Sequence, residues 1–237
     1  MVKALLKKLA NRFGYDLLHL PTDPLVRRRL DLLKKHRINL IFDVGANTGQ
    51  FALNMRKLGY KGQIVSFEPL PDAFKQLAQN AEKDSLWDIH NTAIGNQTGK
   101  ITIHVAQNSY SSSILDILPA HVESAPDSVY TGTVDVPITT IDSVIDQYYQ
   151  PGKKLYIKID TQGYERQVLE GCKKSFQKIT GFQMELSLVP LYAGETLMQE
   201  MIEILKDKGY VLQLIESGHL NYTTGEILQV EGYFFKK

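Results

Sequence analysis

Cysteine and tryptophan are nearly missing from this chain of 237 residues, which holds one of each. A lone thiol, Cys172, excludes an internal disulfide framework and fits a reducing compartment, so a cytoplasmic protein is expected. No apolar run approaches the roughly 20 residues that a membrane-spanning helix needs. The N-terminus, broken by Lys3, Lys7 and Lys8, does not read as a secretory signal. Neither sign of charge is in surplus: the formal net charge is +1, which makes no case for a nucleic-acid partner. The histidines His19, His36, His90, His104, His121 and His219 show no metal-ligand spacing, so no metal is expected. Internal repeats and low-complexity tracts are also missing.

What charge there is lies unevenly. Residues 1–37 hold ten Lys/Arg against three Asp/Glu, leaving seventeen against twenty-three in the rest. Val2, Leu5, Leu6, Leu9 and Phe13 follow helical spacing opposite Lys3, Lys7, Lys8 and Arg12. A second short helix is expected from Asp23-Pro24, with Val26, Leu30 and Leu33 as its apolar stripe. This gives an N-terminal helical arm over 1–37. Such a basic amphipathic start suits packing on its own domain, a second subunit in a homodimer, or a peripheral contact with anionic lipid.

Beyond Ile38 short apolar strands alternate with amphipathic helices, the pattern of βαβ units and a parallel sheet. Strands are expected at 39–44, 63–68, 87–91, 155–160, 181–188, 210–216 and 228–235, the last two close enough to pair antiparallel. Helices are marked by Phe51, Met55 and Leu58 with Gly59 as C-terminal cap, by Phe74, Leu77, Ala78 and Ala81, and by Ile141, Val144, Ile145 and Tyr148. Two more are marked by Val168, Cys172 and Phe176, and by Leu197, Met201, Ile204 and Leu205. Residues 96–138 break the rhythm. The strand-like "KITIHV" and "VDVPI" flank a Ser-, Pro- and Asn-rich middle, predicting an inserted hairpin followed by a mobile loop at about 107–133.

In an open α/β sheet, ligands bind outside the carboxyl ends of the strands. "DVGANTGQF" supplies a strand ending on Asp43 and a turn shaped by Gly45 and Gly49, which aims backbone N–H groups at a ligand. "IVSFEPLP" ends the next strand on Glu68, placed to accept hydrogen bonds from both ribose hydroxyls of a nucleoside. A nicotinamide dinucleotide fits the spacing from Gly49 to Glu68. Two features favour a different ligand. The turn is G-x-x-x-G rather than G-x-G-x-x-G, and Asp43 sets a negative charge where a pyrophosphate would lie. The complement of that charge is a cationic nucleoside such as S-adenosylmethionine.

In this setting "IFDVGANTGQF", "SFEPLPDAFKQL", "NTAIGN", "GKITIHV", "SSSI", "TTIDSVI" and "LYIKIDTQGYERQVLEGC" occur in an order that resembles the FkbM-type methyltransferases, over roughly residues 38–235. The resemblance implies a Rossmann-like class I methyltransferase domain. Its sheet would be seven-stranded and mostly parallel with an antiparallel last strand, helices on both faces, and an insertion at about 96–138. It implies S-adenosylmethionine as cofactor and a hydroxyl of a sugar, glycan precursor or other natural product as acceptor, small or carrier-linked. Carried over by position, Asp43, Gly45, Ala46, Asn47, Gly49, Glu68 and Ala93 would line the cofactor pocket, with Asp160 beside the donor. Thr92 stands where many related methyltransferases have Asp. Gln162 stands where family members often carry Glu, which removes one potential base or metal ligand.

A hydroxyl acceptor benefits from a general base. Asp160, last residue of the buried "LYIKID", is the leading candidate; capping the next helix and holding the donor's amino group are its other roles. Glu185 is the second. In "GFQMELSL" Gln183, Glu185 and Ser187 alternate with apolar neighbours, so one face of that strand is polar, from an acceptor pocket or from an edge position. Glu165 suits a helix first turn whatever its chemistry. His104, Ser111, Ser112 and Ser113, in the insertion, are candidate acceptor contacts. Two rival functions stay open at this point: a nicotinamide-dependent oxidoreductase, and a nucleoside-binding protein without turnover.

Overall fold

A computed structural model of the protein describes residues 9–14 and 24–237. Contacts divide the chain into a short unit ending at Lys35 and a main unit, His36–Lys237. Within the short unit, helix α1 spans Pro24–Lys35 and starts on the proline, as the missing N–H of that residue favours. Most of the basic amphipathic stretch that precedes it lies outside the described residues.

The main unit begins with β1 (Leu40–Val44), α2 (Gln50–Lys57), β2 (Gln63–Phe67), α3 (Pro71–Ala81) and β3 (Trp87–His90). Every residue of β1 is buried, as expected of a parallel strand covered on both faces. Helix α2 ends where the sequence places its cap: Gly59 takes a φ of 89° and donates its N–H to the Arg56 carbonyl. There follow β4 (Ala93–Ile94), β5 (Gly99–Ala106), α4 (Pro119–Ser124), β6 (Tyr130–Thr139) and α5 (Ile141–Val144). The chain closes with β7 (Leu155–Ile159), α6 (Glu165–Glu170), β8 (Ile179–Ser187), α7 (Met198–Asp207), β9 (Tyr210–Ser217) and β10 (Gln229–Lys236).

Seven strands form one sheet in the order β3-β2-β1-β7-β8-β10-β9. β10 lies antiparallel between β8 and β9, and the remaining pairs are parallel. The order reverses between β1 and β7, which places the ligand crevice at their carboxyl ends. One face of the sheet is apolar: Phe42, Val65, Ile157, Phe182 and Phe234 pack with Ile141, Val168 and Met201 from α5, α6 and α7. Strand alternation turns Asp43, Ser66, Lys158, Gln183 and Glu185 to the other face.

The insertion differs from expectation. β5 and β6 pair antiparallel along nearly their whole length, and β4 adds parallel to β6, making a second, three-stranded sheet. Residues 107–129 therefore lie within the hairpin rather than after it, and they carry α4 and a 3-10 turn at Pro126–Ser128. Ile103, Val136 and Ile138 bury themselves against Leu70, Ala73, Ala93 and Tyr164, so the small sheet has its own apolar core beside the crevice. Two expected helices are also shorter. α5 gives way to a 3-10 turn at Ile145–Gln147, and α6 ends at Glu170, leaving Cys172 and Phe176 in the core but outside the helix.

Candidate active site

A cavity of about 240 Å³ opens where the tips of β1, β2, β7 and β8 meet the insertion. Val44, Gly45 and Asn47 reach it from the first turn, and Phe67, Glu68 and Leu70 from the second. Thr92, Ala93 and Ile94 form another wall, while Asp160, Thr161, Gln162 and Glu185 come from β7 and β8. The insertion adds Ile103, Ser109, Tyr110, Ser112, Ser113 and Ile114.

Gly45 is required by geometry. Its φ is 75°, and a Cβ there would lie 1.8 Å from the Asp160 carbonyl oxygen, so only a bare backbone lets the two strand tips approach. The amides of Gly45 and Ala46 both donate to the Phe67 carbonyl, tying the first turn to β2. Glu68 completes that tie. Its Oε2 accepts from the Asn47 N–H at 2.7 Å and its Oε1 from the Leu70 N–H at 2.8 Å. Burial pushes the Glu68 carboxyl up to about 7, against the lowering effect of those two amides.

Asp43 sits differently from its expected role. It is fully buried and does not line the cavity. Its register partner on β7 is Lys158, whose Nζ lies 3.4 Å from Asp43 Oδ1. Ser66 Oγ donates to Asp43 Oδ2 at 3.3 Å and itself accepts from Trp87 Nε1 at 2.9 Å. The charge read as complement to a cationic ligand thus faces an internal cation. Lys158 also donates to the Gly45 carbonyl at 3.3 Å and to Asp160 Oδ2 at 3.1 Å, while Asp43 Oδ1 is reached as an ion pair. Burial alone would lower the Lys158 pKa; the carboxylates of Asp160, Asp43 and Glu231 outweigh it and hold the ammonium charged. Burial raises the Asp43 carboxyl, opposed by that same ammonium.

Gln162 links the tips of β7 and β8. Held at a φ of 53°, it directs its amide Nε2 to Asp160 Oδ1 and to Glu185 Oε2, both at 2.8 Å. Its Oε1 accepts from the Tyr192 hydroxyl at 2.7 Å, while the Asp160 carboxylate, paired with Lys158 and able only to accept, draws the Nε2 end of the amide. Gln162 therefore bridges the two candidate bases. β8 lies between β7 and β10, so the polar face of Glu185 comes from the cavity and not from a sheet edge. Burial, then the neighbouring Asp160, Glu231 and Glu165, push the Glu185 carboxyl well above the usual range, with Lys158 opposing. Glu165 turns away from the cavity. Its Oε1 accepts from the N–H groups of Thr161 and Gly163 and from the Thr161 hydroxyl, so it ties the turn after β7.

Of the residues expected in the site, Gly45, Asn47, Glu68, Ala93, Asp160, Glu185, Ser112 and Ser113 converge on the cavity. Asp43, Ala46, Gly49 and His104 do not line it. Ala46 is buried in the turn, and Gly49 faces Trp87 and Leu77, which a Cβ would meet at 2.7 Å and 2.8 Å. His104 stacks on Tyr130 and lies 3.4 Å from Asp116, outside the cavity. Sequence reasoning missed Lys158, Tyr110 and Tyr192. The lysine did leave a signal: a cation at the one charged position inside "LYIKI" requires a buried carboxylate nearby. The tyrosines left none.

Comparison with known proteins gives the family. Residues 43–212 match the family model described as "Methyltransferase FkbM domain". The 2-O-methyltransferase NoeI of Sinorhizobium fredii is 24% identical over 200 residues, covering 81% of this chain and 82% of that protein. The hexuronic acid methyltransferase AglP of Haloferax volcanii is 23% identical over 191 residues, covering 78% and 74%. A crystal structure of methyltransferase FkbM from Methylobacillus flagellatus superposes with a TM-score of 0.49 at 13% identity, over 84% of this chain and 44% of that one. With the family model spanning the glycine turn, Glu68 and both candidate bases, the chain belongs to the FkbM methyltransferase family, whose methyl donor is S-adenosylmethionine.

Proposed function

We propose that this protein methylates a hydroxyl group of a sugar or other small natural product within the cavity at the tips of β1, β2, β7 and β8. The observation that carries the reading is the meeting there of Glu68, on the donor side, with the Asp160–Gln162–Glu185 bridge opposite. Two relatives named for 2-O-methyl transfer and for methylation of a hexuronic acid support the acceptor class.

The residues present fit the donor. Each Glu68 oxygen accepts only one protein hydrogen bond, which leaves lone pairs for two ribose hydroxyls. Phe67, Leu70, Ala93 and Ile94 give an apolar wall for an adenine ring. When bound, S-adenosylmethionine supplies a methyl group on a sulfonium, open to in-line displacement. The protein contributes position and proton handling. Asp160, fixed by Lys158 on one oxygen and Gln162 on the other, is an anchored negative charge for the donor's cationic end. Glu185 takes the acceptor's proton. What favours it over Asp160 is geometry: the Lys158 ammonium donates directly to Asp160, whereas Glu185 is held by the neutral Gln162 amide. Gln162, donating to both carboxylates and accepting from Tyr192, keeps the two in register.

A nicotinamide cofactor fits poorly, because Glu68 occupies the turn amide that a pyrophosphate would need. Calorimetry with S-adenosylhomocysteine and with NAD tests the donor. Transfer of isotope-labelled methyl to a glycoside panel tests the chemistry. Binding of NAD alone would overturn the reading.

A further inference from the structure

Apolar side chains of the short unit fare differently in its two helical pieces. In α1 Leu33 is 5% exposed and Leu30 and Leu32 are half-buried, so that stripe is covered. In the piece before it, Leu9 to Arg12 are helical, and a turn closes them through the Phe13 N–H on the Ala10 carbonyl and the Gly14 N–H on the Asn11 carbonyl. Leu9 and Phe13, spaced to share one side of that turn, are 57% and 71% exposed. Among the described residues no other leucine, isoleucine or phenylalanine stands so far out of the protein.

The charges around them carry one sign. Arg12, between the two in sequence, is exposed. α1 exposes Arg27, Arg28, Lys34 and Lys35 against one exposed acid, Asp31, which lies 3.8 Å from Arg27. The sequence extends both halves of the pattern towards the N-terminus: Val2, Leu5 and Leu6 keep the helical spacing of Leu9 and Phe13, while Lys3, Lys7 and Lys8 fall opposite with Arg12. Those six positions lie outside the described residues and enter as sequence only.

We infer that the segment around Leu9 and Phe13 docks on an anionic lipid surface, with the two apolar side chains entering the acyl boundary and the cations facing the head groups. An apolar stripe flanked by Lys and Arg is what an interfacial helix needs. The contact is peripheral, since among the described residues no helix is long and apolar enough to cross a membrane. A second copy of the chain is the poorer partner. Pairing two such faces sets like charges side by side, whereas a lipid surface supplies acyl chains and anions at once. Docking of this kind goes beyond the methyl-transfer reading and does not depend on it.

The test uses the full chain and sedimentation with vesicles. Vesicles of phosphatidylcholine mixed with phosphatidylglycerol should bind it at least about tenfold more tightly than phosphatidylcholine alone, and added salt should weaken the binding. Leu9→Ser with Phe13→Ser should weaken it by at least about tenfold, through lost apolar burial. Lys7→Gln with Lys8→Gln should weaken it about twentyfold, roughly fivefold for each cation. Equal binding to both vesicle types, binding to neither, or binding that survives both pairs of substitutions overturns the inference. Analytical ultracentrifugation without lipid should find the same mass for the unaltered chain and the serine variant. A dimer that separates in that variant would give the face to a second copy and overturn lipid docking. Thermal melting should be unmoved by either pair, so that lost binding is not lost folding, and the lysine pair decides should the serine pair unfold. Affinity for S-adenosylhomocysteine, measured on the same samples, keeps failure of docking apart from failure of the donor reading.

Discussion

Asp43 and Lys158 face each other as register partners on adjacent parallel strands, with Nζ and Oδ1 3.4 Å apart and both side chains out of solvent. The pair joins the fold to the site, because the same ammonium holds the Gly45 carbonyl and the Asp160 carboxylate. Lys158→Met leaves Asp43 as an uncompensated buried charge, which typically costs about 3–5 kcal/mol. Urea denaturation should show that loss, and adding Asp43→Asn should restore part of it. A fully stable single variant would mean that the carboxylate is neutral in the native protein.

Glu68 is expected to make donor binding depend on pH. Its folded pKa of about 7 lies above the ordinary 4.5, so protons are held more tightly in the folded chain. Stability from this group therefore falls as pH rises from 4.5 towards 7 and levels off above. Binding moves the other way, because only the ionised carboxylate accepts from both ribose hydroxyls. Affinity for S-adenosylhomocysteine should rise between pH 6 and 8 in calorimetry, and Glu68→Gln should flatten that rise. Glu68→Ala should weaken binding by about 1–3 kcal/mol. Unchanged affinity in the alanine variant would remove Glu68 from the donor site.

The two carboxylates across Gln162 are expected to separate in kinetics. Glu185→Gln should lower kcat by about 10²–10⁴ with little change in donor affinity, as for loss of a general base. In the unaltered protein kcat should climb with pH as the raised Glu185 carboxyl ionises, and the variant should lose that climb. Asp160→Asn should weaken donor binding as well as turnover. If Asp160→Asn instead abolishes turnover at normal donor affinity, the roles are exchanged.

Tyr192→Phe removes the hydroxyl that donates to Gln162 without opening space. Gln162 Oε1 then loses its donor, which loosens the amide's hold on the two carboxylates. Turnover should fall by about tenfold while stability drops by only about 1 kcal/mol, the ordinary worth of one hydrogen bond. A fall in melting temperature with normal kcat would make Tyr192 a packing residue only.

How much of this was legible differs from element to element. The βαβ rhythm beyond Ile38 was readable because period-2 and period-3.6 patterns record burial directly. The glycine turn was readable because Gly45 answers a local demand, a positive φ beside another backbone. The hairpin of the insertion was half readable: its strands alternate, but what lies between them has no period, so residues 107–129 read as loop although they hold α4 and five cavity-lining residues. Asp43 shows the sharper limit. Its position was foreseen but its partner was not, and an acidic side chain without its counter-ion reads as a ligand site.

Local demands on the backbone and the alternation of apolar residues belong to the chain itself, and they account for the parallel sheet, the glycine turn and the acidic residues at its strand tips. Which charges meet belongs to tertiary structure alone. Lys158 lies 115 residues beyond Asp43, and Tyr192 lies 30 beyond Gln162. Only strand register and the crossing of the insertion bring such groups within hydrogen-bond reach. Electrostatic interaction depends on distance and burial, and neither is written in the order of residues.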